Sequence, residues 1–182
     1  MKKFMIVALF AACLALPAQE TRRETSLATG NAAVDNKPNN PDVPDVFAVS
    51  GHLERIVVLR FKFGTDLLAG LTKMVEQEHI KNAVILSAVG SVRGYQLHMV
   101  SNRDMPAKTA FVKNPTAPAD IVGMSGMVMN GRIHPHITLA NADKAFGGHL
   151  EPDTQVFTFA IVTLGVLDDT IDMSRFDDWN YR

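Results

Sequence analysis

Residues 55–79 read RIVVLRFKFGTDLLAGLTKMVEQEH, and the period of their hydrophobic residues changes once. Arg55 to Phe63 is β-branched and aromatic, which predicts a strand. Thr65 follows a glycine and is placed to cap a helix. The apolar residues that come next have helical spacing. We therefore expect an amphipathic helix from Asp66 to about His79, with one face on a sheet.

Six short apolar or alternating segments follow this helix, and Gly, Pro or Asn residues separate them. Their approximate ranges are 82–89, 92–100, 108–113, 121–129, 133–140 and 155–167. One main helix among so many consecutive strands predicts an α+β fold with a largely antiparallel sheet.

Composition sets limits on size and partners. The chain has 182 residues, of which 47% are hydrophobic, enough for one buried core without a second domain. Its formal net charge is −1, and from Val46 onward it has 13 basic and 14 acidic side chains. This balance argues against nucleic acid and against an anionic membrane surface as partners.

Residues 1–18 are predicted to be a secretory signal peptide. Two lysines precede the stretch from Phe4 to Leu16, which is apolar, uncharged and too short to span a bilayer. Cleavage after Ala18 would give an exported protein, periplasmic or secreted. Alternatively, Phe10-Ala-Ala-Cys13 is a loose lipobox, and a lipid on Cys13 would attach the protein to a membrane.

Residues 19–45 are polar and have no hydrophobic period, which predicts a flexible linker. The folded domain is expected over residues 46–182. Its last 15 residues, from Asp168, carry five aspartates and three aromatic residues. These aromatic residues could dock on the domain or on a neighbouring molecule.

His134 and His136 lie two apart in the segment Ile133-His-Pro-His-Ile-Thr-Leu-Ala140. If this segment is a strand, both imidazoles project from one face and the alternate apolar residues face the core. Pro135 cannot donate a ladder hydrogen bond, so this part of the strand is expected at an edge or a bulge.

His149 follows Gly147-Gly148, two residues that permit a tight return of the chain and a close approach of backbones. Such a return would bring His149 beside His134 and His136. Three neutral imidazoles form a half-open zinc site whose fourth position is left to a ligand. The alternative from spacing alone is a surface histidine pair followed by an ordinary glycine turn.

The run Gly131-Arg-Ile-His-Pro-His-Ile-Thr-Leu-Ala140, followed by Gly147-Gly-His-Leu150, resembles the signature of the plants-and-prokaryotes conserved (PPC) domain. The resemblance extends over about residues 46–167. It implies an α+β fold assembled as a homotrimer, with the three histidines clustered and binding zinc in some bacterial and archaeal members. It also implies a fold-level similarity to acetolactate decarboxylase, a zinc lyase.

Two features depart from the family pattern. Many members carry a glutamate in the strand after Gly-Gly-His, where this chain has Ile161; Glu151 could replace it, or be an exposed turn carboxylate. The loop over residues 141–146 lacks the usual glycine. Bacterial relatives are often labelled DNA-binding because plant members carry AT-hook segments. This chain has no Arg-Gly-Arg-Pro hook and no basic stripe.

Three residues are predicted to bind a ligand beside the metal. Arg93 and Arg132 could line the site and clamp a small anionic ligand, with Glu151 supplying a carboxylate; surface ion pairing is the alternative for both arginines.

The remaining histidines, His52, His79 and His98, are scattered, and we expect structural or surface roles for them. No catalytic residue is identified. Ser87 and Ser91 would be candidate nucleophiles, but neither has an adjacent general base or lies in a nucleophile-elbow motif.

Three functions are compatible with these features. The favoured one is an exported zinc-binding protein that holds a small ligand or partner at the metal, although imidazole also accepts nickel and iron. The second is a zinc-dependent lyase or hydrolase acting on a small oxo-acid. The third is DNA binding, by the family label.

Overall fold

The structure is a computed structural model that describes residues 21–37 and 40–178. Its elements in chain order are β1 (Arg22–Leu27), α1 (Ala32–Asp35), β2 (Leu53–Lys62), α2 (Leu67–Gln77), β3 (Ala83–Val100), β4 (Lys108–Asn114), β5 (Ala119–Met129), β6 (Arg132–Ala140), β7 (Ala145–Leu150) and β8 (Gln155–Leu167). The predicted signal peptide, with Cys13, lies outside the described residues. In the part of the chain that the structure describes, no helix is long and apolar enough to cross a membrane.

The long strand β3 connects the sheet because its two halves pair with different neighbours. Residues 83–94 pair with β8 and in part with β5, whereas residues 95–100 pair with β4 and, at two positions, with β7. β6 lies between β5 and β7, so the path β3–β5–β6–β7 returns to β3. All pairings between the named strands are antiparallel, which confirms the predicted fold class.

β3 joins what the sequence predicted as two strands, 82–89 and 92–100. The expected break at Gly90 is an irregularity in the pairing with β8. Gly90 has φ 141°, and a Cβ there would lie closer than 3.0 Å to the carbonyl oxygen of Phe159. Glycine therefore permits a bulge within the strand instead of ending it.

The helix α2 covers one face of the sheet, as predicted. Asp66 caps it in place of the expected Thr65, because its carboxylate accepts a hydrogen bond from the Ala69 backbone N–H at 2.8 Å. One helix face is fully buried and joins the apolar residues of the sheet in a single core. Its buried residues are Leu67, Leu71 and Val75.

The turn that was predicted at Gly147-Gly148 is wrong, because β7 runs through both residues. Both glycines lie inside a strand that runs between β6 and β3. A Cβ on Gly147 would lie closer than 3.0 Å to the Ile137 carbonyl oxygen, and one on Gly148 equally close to that of His98. The two glycines thus allow β7 to approach the backbones of both neighbouring strands.

The segment 19–45, predicted as a flexible linker, contains regular structure. Residues 22–27 form β1 and pair with β4, and the buried Asp35 carboxylate of α1 accepts from the Thr29 N–H at 3.0 Å. β1 is held by backbone pairing at a sheet edge, and its side chains are mostly exposed. A strand of this kind needs no apolar period, so the sequence pattern did not reveal it.

The acidic C-terminal tail docks on the domain as far as Asp178. Ile171 and Met173 are buried against Met129, and Phe176 packs on Phe47 with ring centroids 5.1 Å apart. The other two aromatic residues of the tail, at positions 179 and 181, lie outside the described residues.

Candidate metal centre

Strand register places three histidines in one row across β3, β7 and β6. His149 on β7 is directly opposite both His98 on β3 and His136 on β6. Directly opposed residues of neighbouring strands have Cβ atoms about 4.5–5.5 Å apart on the same face. The ring centroid of His149 lies 4.4 Å from that of His98 and 5.5 Å from that of His136.

His134 places a fourth imidazole beside this row. It lies two residues before His136 on β6, and the Nε2 atoms of the two rings are 3.3 Å apart. Its ring centroid is 4.8 Å from that of His149. β6 pairs with β7 only from His136 onward, so Pro135 lies where β6 has an edge on that side, as its missing N–H predicts.

The Glu151 carboxylate contacts two of the imidazoles from the end of β7. Its Oε1 atom lies against Nδ1 of His98 and 3.2 Å from Nδ1 of His149. The potential ligand atoms of His98, His149 and Glu151 all lie within 4.8 Å of one another. These three side chains form a group that could hold a metal ion.

A second carboxylate, that of Asp177 in the C-terminal tail, contacts the cluster at its other end. Its Oδ2 atom lies 3.1 Å from Nδ1 of His134 and 3.4 Å from the Arg132 guanidinium. Arg132 also donates to the Asp177 carbonyl oxygen at 3.3 Å. Each end of the cluster therefore has a carboxylate against an imidazole Nδ1.

The pKa values of His136 and His149 are lowered from the ordinary histidine value. For His136 the causes are burial and then the neighbouring charges of His134 and His98. For His149 they are burial, His98 and His134, while Glu151 acts in the opposite direction and raises the pKa. Both shifts favour the neutral imidazole, which is the form that binds a metal.

The structure brings together all of the residues predicted for the site except Arg93. His134, His136 and His149 meet, Glu151 contacts His149, and Arg132 reaches the cluster through Asp177.

Arg93, the exception, was predicted to line the ligand site. Its guanidinium lies over the Phe63 ring, 5.2 Å from the centroid, at the end of β2. Arg93 is five residues before His98 on β3, which places it roughly 16 Å away along a strand. It therefore packs on an aromatic side chain away from the histidines.

Two members of the cluster were not predicted from the sequence. His98 was expected to have a structural or surface role, but the register of β3 with β7 places it opposite His149. Asp177 could not be distinguished from the other aspartates of the tail. A possible signal for His98 was its position in a predicted strand, but nothing in the sequence indicated which strand lies beside it.

The chain belongs to the Plants and Prokaryotes Conserved domain family, abbreviated PCC or PPC. The sequence model of that domain matches residues 48–168, which confirms the resemblance noted above and nearly its extent. β1 and the C-terminal tail lie outside the matched range.

Several solved structures share the fold. A metal-containing protein from Archaeoglobus fulgidus is 21% identical with a TM-score of 0.56, over 68% of this chain and 86% of that chain. A PPC protein from Pyrococcus horikoshii is 20% identical with a TM-score of 0.55, over 68% of this chain and 85% of that chain. A Bacteroides thetaiotaomicron protein with a DNA-binding label is 19% identical with a TM-score of 0.52, over 65% of this chain and 82% of that chain.

Among curated proteins, the chain is similar to the bifunctional protein GlmU of Synechococcus sp. (strain JA-2-3B'a(2-13)). The two are 29% identical over 119 residues, which cover 60% of this chain and 16% of that protein. The chain therefore spans only about a sixth of the length of this curated relative.

Proposed function

We propose that this protein is an exported, zinc-binding member of the PCC family in which His134, His136 and His149 hold the metal and leave one position open. The observation that carries the proposal is a carboxylate against Nδ1 of His134 and another against Nδ1 of His149. A carboxylate accepts from a protonated Nδ1, and the neutral ring then keeps the lone pair of Nε2 for a metal.

The spacing of one pair of nitrogen atoms, those of His134 and His136, fits zinc. Zinc–nitrogen bonds of 2.0–2.1 Å in tetrahedral geometry set two nitrogen ligands roughly 3.3 Å apart. The Nε2 atoms of His134 and His136 have this separation, at 3.3 Å. The similar protein from Archaeoglobus fulgidus is metal-containing, which supports metal binding without identifying the metal.

A second set of ligands within the same cluster is His98, His149 and Glu151. Their potential ligand atoms lie close together, and zinc accepts both imidazole nitrogen and carboxylate oxygen. His149 belongs to both sets, because it is the middle residue of the row. In either case the bound zinc would supply an electrophilic centre for a small anionic ligand. Arg132, which contacts Asp177 beside His134, is a cation next to the first set of ligands.

Metal analysis of full-length protein purified without chelators tests the proposal. We expect about one zinc ion per chain in the wild type and a loss of zinc in His134→Ala, His136→Ala and His149→Ala. His79→Asn is the matched control, because His79 lies at the end of α2 with φ 52°, a conformation that asparagine tolerates.

The variant His98→Ala separates the two ligand sets. Zinc content that depends on His98 and Glu151 but not on His134 or His136 would assign the metal to the second set. Zinc content that is unchanged in all four histidine variants, or absent from the wild type, would contradict a metal site in this cluster.

A zinc-dependent lyase or hydrolase acting on a small oxo-acid is the second candidate function. Glu151 favours it, because a carboxylate in contact with two imidazoles provides an acid–base group at the cluster. Turnover of a panel of small oxo-acids that is lost on chelation and in Glu151→Gln would support this function. Stoichiometric binding of the same acids without turnover would contradict the enzyme and favour the zinc-binding protein.

Assembly as a homotrimer is part of the proposal. The sheet face opposite α2 carries exposed apolar side chains from β2 and β3, among them Ile56 at 53%, Val58 at 64% and Val89 at 53% exposure. An exposed apolar face of this kind is typical of an interaction surface, and the family resemblance supplies a second copy of the chain as its partner.

Export is also proposed, on the basis of residues 1–18 alone. We expect the protein in the periplasmic or culture fraction, with an N-terminus after Ala18. A lipid-modified Cys13 in the membrane fraction, abolished by Cys13→Ser, would indicate the lipoprotein route. Full-length protein in the cytoplasmic fraction would contradict both.

DNA binding rests only on a label carried by similar proteins. It predicts retardation of duplex DNA that weakens steeply with salt, because phosphate contacts release counterions. The balanced charge of the chain predicts no retardation at low salt.

A further inference from the structure

The C-terminal segment beyond the matched family domain returns to the metal centre. Buried contacts of Ile171 and Met173 fix its path, and the Asn82 amide donates to the Ile171 carbonyl oxygen at 2.9 Å. The segment then places Asp177 between Arg132 and His134. This placement depends on residues after 168, which the family model does not match.

The contacts of Asp177 determine which nitrogen of His134 carries the proton. An ionised carboxylate only accepts hydrogen bonds, so His134 donates from Nδ1 to Oδ2 at 3.1 Å. The neutral ring of His134 then has an unprotonated Nε2. In the metal-free protein this atom can accept from Nε2–H of His136, 3.3 Å away, and that proton must leave Nε2 before both nitrogen atoms bind zinc. The three side chains form one consistent chain of donors and acceptors.

We infer that Asp177 is a positioning residue for the metal centre. It holds His134 in the Nδ1–H tautomer and fixes the ring so that Nε2 stays beside Nε2 of His136. Arg132 contacts the carboxylate at 3.4 Å and holds it in place. The inference rests on the proposed metal site, and it adds a tail residue to the set that determines metal affinity.

Carboxylates that hold a ligand histidine affect metal affinity strongly. Loss of such a partner typically weakens metal binding about 10–100-fold. We therefore expect the zinc Kd of Asp177→Ala to rise by about that factor. Asp177→Asn keeps an acceptor oxygen but loses the charge, so we expect an intermediate Kd and an unchanged tautomer.

The experiment has two readouts on the full-length protein. Imidazole ¹⁵N NMR of the metal-free protein gives the tautomer of His134, and competition with a chelator gives the zinc Kd. Asp169→Ala is the matched control, since it removes the same charge from the same tail while Lys81 contacts only its backbone carbonyl. Thermal unfolding checks that each variant is folded.

The expected result is loss of the Nδ1–H tautomer and weaker zinc binding in Asp177→Ala, with neither change in Asp169→Ala. An unchanged tautomer and Kd in Asp177→Ala, or an equal loss in both variants, would overturn the inference. If the wild type binds no zinc, the proposed function fails. The tautomer measurement then still decides whether Asp177 positions His134.

Discussion

His98 and His149 lie directly opposite each other on β3 and β7, with ring centroids 4.4 Å apart and planes inclined by 21°. Glu151 contacts Nδ1 of both rings. The pairing of two short stretches of backbone therefore fixes one half of the cluster. Any change that separates β7 from β3 should disturb both imidazoles together.

Gly148→Ala is predicted to separate these two strands. A Cβ at this position would lie closer than 3.0 Å to the carbonyl oxygen of His98, and backbone cannot move aside as a flexible side chain does. We expect a loss of about 1–3 kcal/mol in the free energy of unfolding, measured with urea, because overpacking has this cost. Zinc affinity should fall as well.

Gly123→Ala is the control for this variant. Gly123 lies on β5, and a Cβ there meets no atom within 4 Å. Its stability should stay close to that of the wild type. Equal losses in Gly123→Ala and Gly148→Ala would show that glycine removal in general, and not the approach of β7 to β3, is responsible.

Glu151→Gln is predicted to lower the pKa of His149 further. The Glu151 carboxylate raises that pKa against the effects of burial, His98 and His134, so removal of its charge leaves only lowering contributions. An NMR pH titration of His149 in metal-free protein measures the shift. A pKa that rises in Glu151→Gln would contradict the assigned contact.

The sequence predicted the parts of this molecule that local patterns determine. The main helix, most strands and the shared face of His134 and His136 follow from period and turn residues. The participation of His98 depends on which strand lies next to β7, and Asp177 depends on the path of the tail. Pairing between distant segments leaves no period in a single sequence, so these two residues were missed.

β1 is an element that the sequence pattern could not predict. Its six residues, RRETSL, are mostly exposed and pair through the backbone with β4. Nothing in their composition distinguishes them from a linker. An apolar pattern predicts a strand only where the strand buries one face, and an edge strand of this kind does not.

The stability of the metal-free protein is predicted to fall with decreasing pH. The pKa values of His136 and His149 lie below 6.5 in the folded protein, so the unfolded chain takes up protons first as the pH falls below 6.5. The stabilising difference is fully present above that value and is lost as the pH falls through the lowered pKa values.

Urea unfolding at about pH 7.5 and about pH 5.5 measures this dependence. In His136→Asn the difference in midpoint between the two pH values should be smaller than in the wild type. In His79→Asn, which changes a histidine outside the cluster, it should be preserved. A midpoint difference that His136→Asn leaves unaltered would exclude this residue as a source.

Arg93→Ala is predicted to leave zinc affinity unchanged, because the guanidinium lies over Phe63 at the end of β2. The expected cost is about 0.5–1 kcal/mol of stability from the lost cation–π contact. Arg132→Ala should weaken zinc binding, since Asp177 loses the cation that holds it. A competition titration of both variants distinguishes them, and an effect of Arg93→Ala on zinc Kd would place Arg93 in the site after all.

Val58→Glu is predicted to disrupt the proposed trimer. Val58 is 64% exposed on the face of β2 opposite α2, and a carboxylate there would have to lose its hydration in an interface between copies. Light scattering during size-exclusion chromatography should give the mass of a trimer for the wild type and of a monomer for this variant. Val100→Glu is the control, because Val100 is 73% exposed at the far end of β3. A trimeric Val58→Glu, or a monomeric wild type, would mean that this apolar face does not join copies of the chain.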